Sequence, residues 1–257
     1  MALTLPVKSD SQNHFRVSFS PGDCRPRVAD VVRYLGGADY RPRPHILKRV
    51  DRALSLAEGV VAPAAVFSIL PVRQADHTGV MLNGNRPILA GVGADWHQAA
   101  YILASLATLG PGLEAKCRAL SRSAPFAAIV LDAVGVAFLD KLAVLVGRES
   151  QRQATSLGLH SGVRISPGLC NIDLSLQTEL FDLVDSQALG VELTEDLIMK
   201  PFKSISELRA FTSRPPKPDS LDKCMHCDLM PCGFRRRLPK QGPNVDHLDL
   251  QVVNRPA

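Results

Sequence analysis

The most apolar stretch of the chain, Ala124 to Val146, carries charge at Asp132, Asp140 and Lys141. It is long enough to span a bilayer, but each of those charges would cost about 3 kcal/mol at mid-membrane. A buried helix is the better solution, and 126–146 is expected to be a long central helix. No membrane association is expected. A helix of that length needs a large apolar surface beside it, and 46% hydrophobic residues over 257 positions supply enough for a real core. Aromatic residues are only 5%, so Ala, Leu and Val carry that core.

Hydrophobic periodicity places the other elements. Short helices are expected at 29–35, stopped by Gly36-Gly37, and at 44–58, where Ile46, Leu47, Val50, Ala53, Leu54 and Ala57 share one side. Residues 64–70 and 87–92 read as strands around a polar hairpin or loop at 73–86. Asp95 reads as the N-cap of a helix through Trp96, Ala100, Ile102 and Leu103 to about Ser105. Further helices are expected at 111–121 and, capped by Ser175, from Leu176 to Val184, with a polar connector at 148–161. Val191 to Leu193 and Ile205 to Phe211 read as strands around a turn or helix at 195–201. Helices and strands mix without regular alternation. The expected class is α+β, an antiparallel or mixed twisted sheet with flanking helices. No glycine-rich dinucleotide or phosphate loop is present.

The expected organisation is a lead-in at 1–27, a body at 28–213, a Pro-rich linker with a cysteine-rich module at 214–237, and a polar tail at 238–257. The net charge is +5, with a tight run at Arg235-Arg-Arg237. No aromatic stacking surface accompanies that run, so nucleic acid is not the expected partner. An acidic protein or an anionic cofactor suits the charge. Met1-Ala-Leu-Thr-Leu-Pro lacks the basic start of a secretory signal, and a cytoplasmic location is expected.

Three of the six cysteines, Cys224, Cys227 and Cys232, fall within nine residues near the end. In a chain this large that spacing is a metal pattern and not a disulfide framework. It fits one segment of an iron–sulfur site, or three ligands of a zinc knuckle. His226, Cys170, Cys24 and Cys117 are candidates for a fourth ligand, although Cys117 sits on a mostly apolar helix and reads as core.

Arg164-Ile-Ser-Pro-Gly168 puts a fixed cation beside a backbone that a ligand can approach closely. With the segment from Glu192 to Ser206, it resembles the S-adenosylmethionine-binding region of the activation domain of cobalamin-dependent methionine synthase. Asp30 to Gly36, Ala65 to Pro71, Ala100 to Gly110 and Ala128 to Gly135 extend the resemblance across about 28–211. The cobalamin, folate and homocysteine modules of that enzyme are not represented.

The resemblance implies a methyltransferase-type activation component that binds S-adenosylmethionine and serves a corrinoid-binding protein or methionine synthase core. The corrinoid would be supplied by that partner, and an electron donor protein is a further possible partner. Arg164 would hold the methionyl carboxylate, because a guanidinium pairs with a carboxylate through two parallel hydrogen bonds. Asp140 would meet the ligand's amino group. Ser166, Pro167, Gly168, Leu169 and Thr194 would line the site, with Leu169 standing where the family has Tyr. The redox logic of the family favours an iron–sulfur cluster over zinc, and Cys170, beside the ligand turn, would complete it. The plainer assignments remain open. Arg164 would pair with a surface carboxylate, Asp140 would lie on a solvated helix face, Thr194 would be an N-cap, and Ser204 and Ser206 would be ordinary strand residues.

Overall fold

The structure is a computed structural model that describes residues 13–37, 39–75, 79–82, 87–89, 94–169 and 172–216. Its frame is a seven-stranded sheet in the order β4-β3-β2-β5-β9-β6, with β1 added on β2. The strands are β1 (Asn13–Ser18), β2 (Ala64–Ala75), β3 (Gly79–Leu82), β4 (Pro87–Leu89), β5 (Ala99–Thr108), β6 (His160–Ser161) and β9 (Ser204–Thr212). A small separate hairpin joins β7 (Glu192–Leu193) to β8 (Met199–Lys200). Every strand pair among the described residues is antiparallel. The helices are α1 (Val28–Gly36), α2 (Pro44–Glu58), α3 (Gly112–Ser123), α4 (Pro125–Ser156) and α5 (Leu176–Leu183). The architecture is α+β, as the mixed pattern of elements predicts.

The sheet is covered on both faces, and strand periodicity sorts its residues between them. Ala65, Phe67 and Ile69 of β2, Leu103 and Ala107 of β5, and Phe211 of β9 face a helical layer built from α1, α2 and α4. Val66, Leu70, Ile102, Ala104, Leu106, Leu208 and Ala210 face the other way, onto Leu176 and Leu180 of α5 and onto Trp96, Ile165 and Val191. Residues 13–18 belong to this sheet. β1 pairs along 64–69 of β2, and Phe15 stacks on Phe67 with ring centroids 4.9 Å apart.

Two coverings explain where the sequence pattern misleads. The segment from Asp95 is not a helix. It is a short 3-10 turn, Ala94–Gln98, followed by β5. Ala and Leu at 102–107 favour helix in isolation. Here they form the middle strand between β2 and β9, where both faces need small apolar residues.

The polar stretch after Val146 is likewise not a connector. α4 continues to Ser156 and is about 48 Å long. Its inner face narrows to Val146, Ser150 and Ala154, one residue per turn, so the apolar stripe almost disappears from the sequence. Its outer face is held by Arg152 on Glu149 and by Gln153 on Glu149, three and four residues apart. Phe138 and Leu142, fully buried halfway along α4, fix it in the helical layer. Truncating Phe138 to Ala should cost about 3–5 kcal/mol. No helix among the described residues is long and apolar enough to cross a membrane.

Candidate functional site

Arg164 lies where the chain leaves β6 and runs along the free edge of β9. Gly162 N–H donates to Ala210 O at 2.8 Å. Ile165 and Leu208 then exchange both backbone hydrogen bonds, at 3.0 and 2.8 Å. Ile165 is buried on the α5 side of the sheet. Alternation therefore sends Arg164 to the opposite side, toward α4.

On that side stands Glu207, 1% exposed and in the middle of β9. Its Oε1 accepts from Arg209 Nε at 2.8 Å, and its Oε2 lies 3.8 Å from Arg164 Nε. Arg209 also donates through Nη1 to Gly162 O at 3.2 Å. The three side chains form a half-buried cluster with one positive charge in excess. A carboxylate this deep in a core is costly unless cations flank it, and here two do. Ser105 is the cross-strand neighbour of Glu207. Ser105 Oγ and Glu207 Oε2 are both buried without a hydrogen-bond partner.

The turn after Ile165 is tightly closed. Leu169 N–H donates to Ser166 O at 3.1 Å, and Gly168 N–H donates to Ile172 O at 3.0 Å. Gly168 has φ +75°, which a side chain rarely adopts, and a Cβ there would meet Leu174 at 3.1 Å. Pro167 is buried, whereas Gly168 and Leu169 are exposed, with Leu169 at 49%. Ser166, Pro167, Gly168 and Leu169 thus form one ledge beside Arg164.

The other expected site residues have partners of their own. Asp140 accepts a hydrogen bond from the phenol of Tyr34, which ties α4 to α1. Next to it Lys141 bridges to Asp30, which Arg27 also holds. Burial works to raise the Asp30 carboxyl, but the hydrogen bonds from Arg27 and Lys141 outweigh it and bring its pKa down to about 2. Asp132, the second carboxylate of α4, pairs with Lys203 at 2.6 Å. Thr194 is in the β7–β8 turn, where its Oγ1 accepts from Ile198 N–H at 3.1 Å, and it starts no helix. Ser204 and Ser206 point into the core, bonded to Thr108 at 2.9 Å and Gln177 at 2.7 Å. Ser175 precedes α5 but its hydroxyl caps nothing. Its N–H instead donates to Asp173 Oδ1 at 2.7 Å.

Of the expected set, the structure brings together Arg164 and the 166–169 ledge. Glu207 and Arg209 join them and escaped the sequence reading. The signal was their spacing of two in a strand, which puts opposite charges on one face.

Cys170, Cys224, Cys227 and Cys232 lie outside the described residues. Among the described residues no group of three or more His, Cys, Asp and Glu could hold a metal ion. Cys24 and Cys117 are both free thiols. Burial, aided by Asp23, pushes the Cys24 thiol up to about 11, and burial also raises that of Cys117.

No protein-family model matches the chain, and no curated protein matches it in sequence. Among solved structures it is similar to one described as the MetH reactivation domain bound to AdoHcy. The TM-score is 0.60 at 15% identity, and the match covers 77% of this chain and 78% of that one. The likeness is one of fold, and it agrees with the architecture expected from the sequence.

Proposed function

We propose that this chain reactivates a corrinoid protein, with S-adenosylmethionine as methyl donor. The observation that carries the reading is the position of Arg164. In a fold similar to that of an AdoHcy-bound reactivation domain, it is clamped to β9 beside a Ser-Pro-Gly-Leu ledge whose Gly168 and Leu169 are exposed, in a cluster with excess positive charge. That arrangement suits an α-amino-acid carboxylate. The partner, a methionine synthase lacking its own activation domain, supplies the corrinoid. A separate electron donor reduces the corrinoid, the methyl group passes to it from the sulfonium, and S-adenosylhomocysteine leaves. This chain contributes positioning and exclusion of water, so it needs no acid, base or nucleophile of its own. In this reading Ser166, Pro167, Gly168 and Leu169 line the ligand, and Asp140 of α4 and Thr194 of the β7–β8 turn contribute to its binding. A cytoplasmic location accords with this work.

The body at 28–213 holds that site in our reading. The segment at 214–237 carries a metal on Cys224, Cys227 and Cys232, with Cys170 as fourth ligand. Iron–sulfur is preferred to zinc because reactivation consumes an electron.

The test supplies the chain with methyl-labelled S-adenosylmethionine, a chemical reductant and a corrinoid protein. Label should reach the corrinoid only when the chain is present. Methylation of free homocysteine without any corrinoid protein would refute the reading.

Exposed Leu169 supports a second reading. An apolar side chain in place of the family's Tyr removes a hydroxyl and an aromatic face from the ledge. The chain would then keep the fold without the methyl donor, as an adaptor with a zinc-braced end or as an iron–sulfur electron-transfer protein. A brown, iron-containing protein after anaerobic purification would favour the last, and a colourless zinc-loaded one the adaptor.

A further inference from the structure

We infer that Arg209 controls how much of Arg164 is left for a ligand, by holding the Glu207 carboxylate away from it. The inference rests on the proposed reading of Arg164 as an anion anchor. It concerns two residues that act on the anchor without themselves holding the ligand.

Glu207 is flanked by two guanidinium groups but treats them unequally. It accepts a hydrogen bond from Arg209 at 2.8 Å, while Arg164 stays at 3.8 Å, beyond hydrogen-bond reach. Arg209 is fixed from three sides. Its Nε is on Glu207, its Nη1 is on Gly162 O at 3.2 Å, and its Nη2 packs on the bare backbone of α4 at Gly147. A Cβ at Gly147 would come within 3.1 Å of that nitrogen. Among the described residues Arg164 has no such cage. It is also the more exposed, at 21% against 12% for Arg209. Glu207 therefore steadies Arg164 by charge without occupying its donors, and the guanidinium edge remains free to form a paired contact with a carboxylate.

Without Arg209 this balance fails. Glu207 would be a buried carboxylate with one cation left in reach, and the cost of leaving it unpaired would drive it onto Arg164. The internal carboxylate would then compete with the ligand's. Arg209 and Glu207 are thus positioning residues that act through Arg164.

The sign of this coupling is testable. Arg209→Gln should weaken S-adenosylhomocysteine binding about tenfold, the scale of one charged hydrogen-bonded contact. Glu207→Gln added to it should restore most of the loss, because the competing carboxylate is gone. A purely structural role predicts the reverse, with the double variant at least as weak as the single. Unchanged binding in Arg209→Gln, or no recovery in the double variant, overturns the inference.

A second measurement needs no folded variant. In nitrogen-15 spectra of the wild-type protein, acetate should shift the Arg164 Nε signal and leave that of Arg209, which Glu207 holds, in place. Equal shifts, or none at Arg164, overturn the inference. A response to acetate without any binding of S-adenosylhomocysteine would instead leave the anion site standing and remove the S-adenosyl reading.

Discussion

Ile165 and Leu208 are joined by a reciprocal pair of backbone hydrogen bonds, and they form an isolated bridge beyond the short strand β6. That bridge sets the register of Arg164. One residue of slip along β9 would turn Arg164 to the α5 side, away from Glu207. The proposed anion anchor is thus built on the outer edge of β9, and the loop only completes it.

Arg164→Ala should weaken binding of S-adenosylhomocysteine by about 1.5–3 kcal/mol, the worth of a charged hydrogen-bonded contact. Calorimetry on the two proteins measures the difference. Equal affinities would remove Arg164 from the site.

Gly168→Ala should destabilise the protein by about 1–2 kcal/mol, since φ +75° is unfavourable for a residue with a Cβ and Leu174 is in the way. Urea unfolding reads the cost. An unchanged midpoint would mean that the ledge does not hold Gly168 in that conformation.

Asp30 predicts a pH effect of definite sign. Its carboxyl sits at about 2 in the folded protein, below the ordinary value of about 4. The stability it contributes is complete above the ordinary value and is lost as pH falls toward 2. Between those limits the wild type should lose thermal stability faster than Asp30→Asn. Parallel melting curves for the two proteins across that range would exclude the Arg27–Asp30–Lys141 contacts as a source of acid sensitivity.

The cysteine module should behave as one site. Each of Cys224→Ser, Cys227→Ser and Cys232→Ser should release the metal almost as fully as the triple change, because a site short of one ligand loses most of its affinity. Metal analysis on the purified variants gives the answer. Cys170→Ser separates a site tied to the ligand turn from a self-contained one. Unaltered metal content and visible absorbance would show that Cys170 is not a ligand.

Much of the fold was written in local pattern. The apolar run with three interior charges marks α4, the spacing of Val50, Ala53, Leu54 and Ala57 marks α2, and the unbroken apolar run at 64–70 marks a strand covered on both faces. The Pro-Gly turn beside Arg164 was equally legible, because a residue with φ near +75° selects for glycine whatever surrounds it.

Three things were decided only in three dimensions. β5 is a strand because β2 and β9 lie on either side of it, and no window of its own Ala-rich sequence contains that fact. The end of α4 is helical because a few small residues pack inward beneath a polar face. The partners of charged side chains depend on contacts between distant segments: Asp140 goes to Tyr34, over a separation of 106 residues, and Arg164 goes to Glu207. Sequence fixes which residues can carry charge and which local conformations are allowed. Which cation a buried carboxylate meets is set by strand register and by the face of the sheet on which it falls.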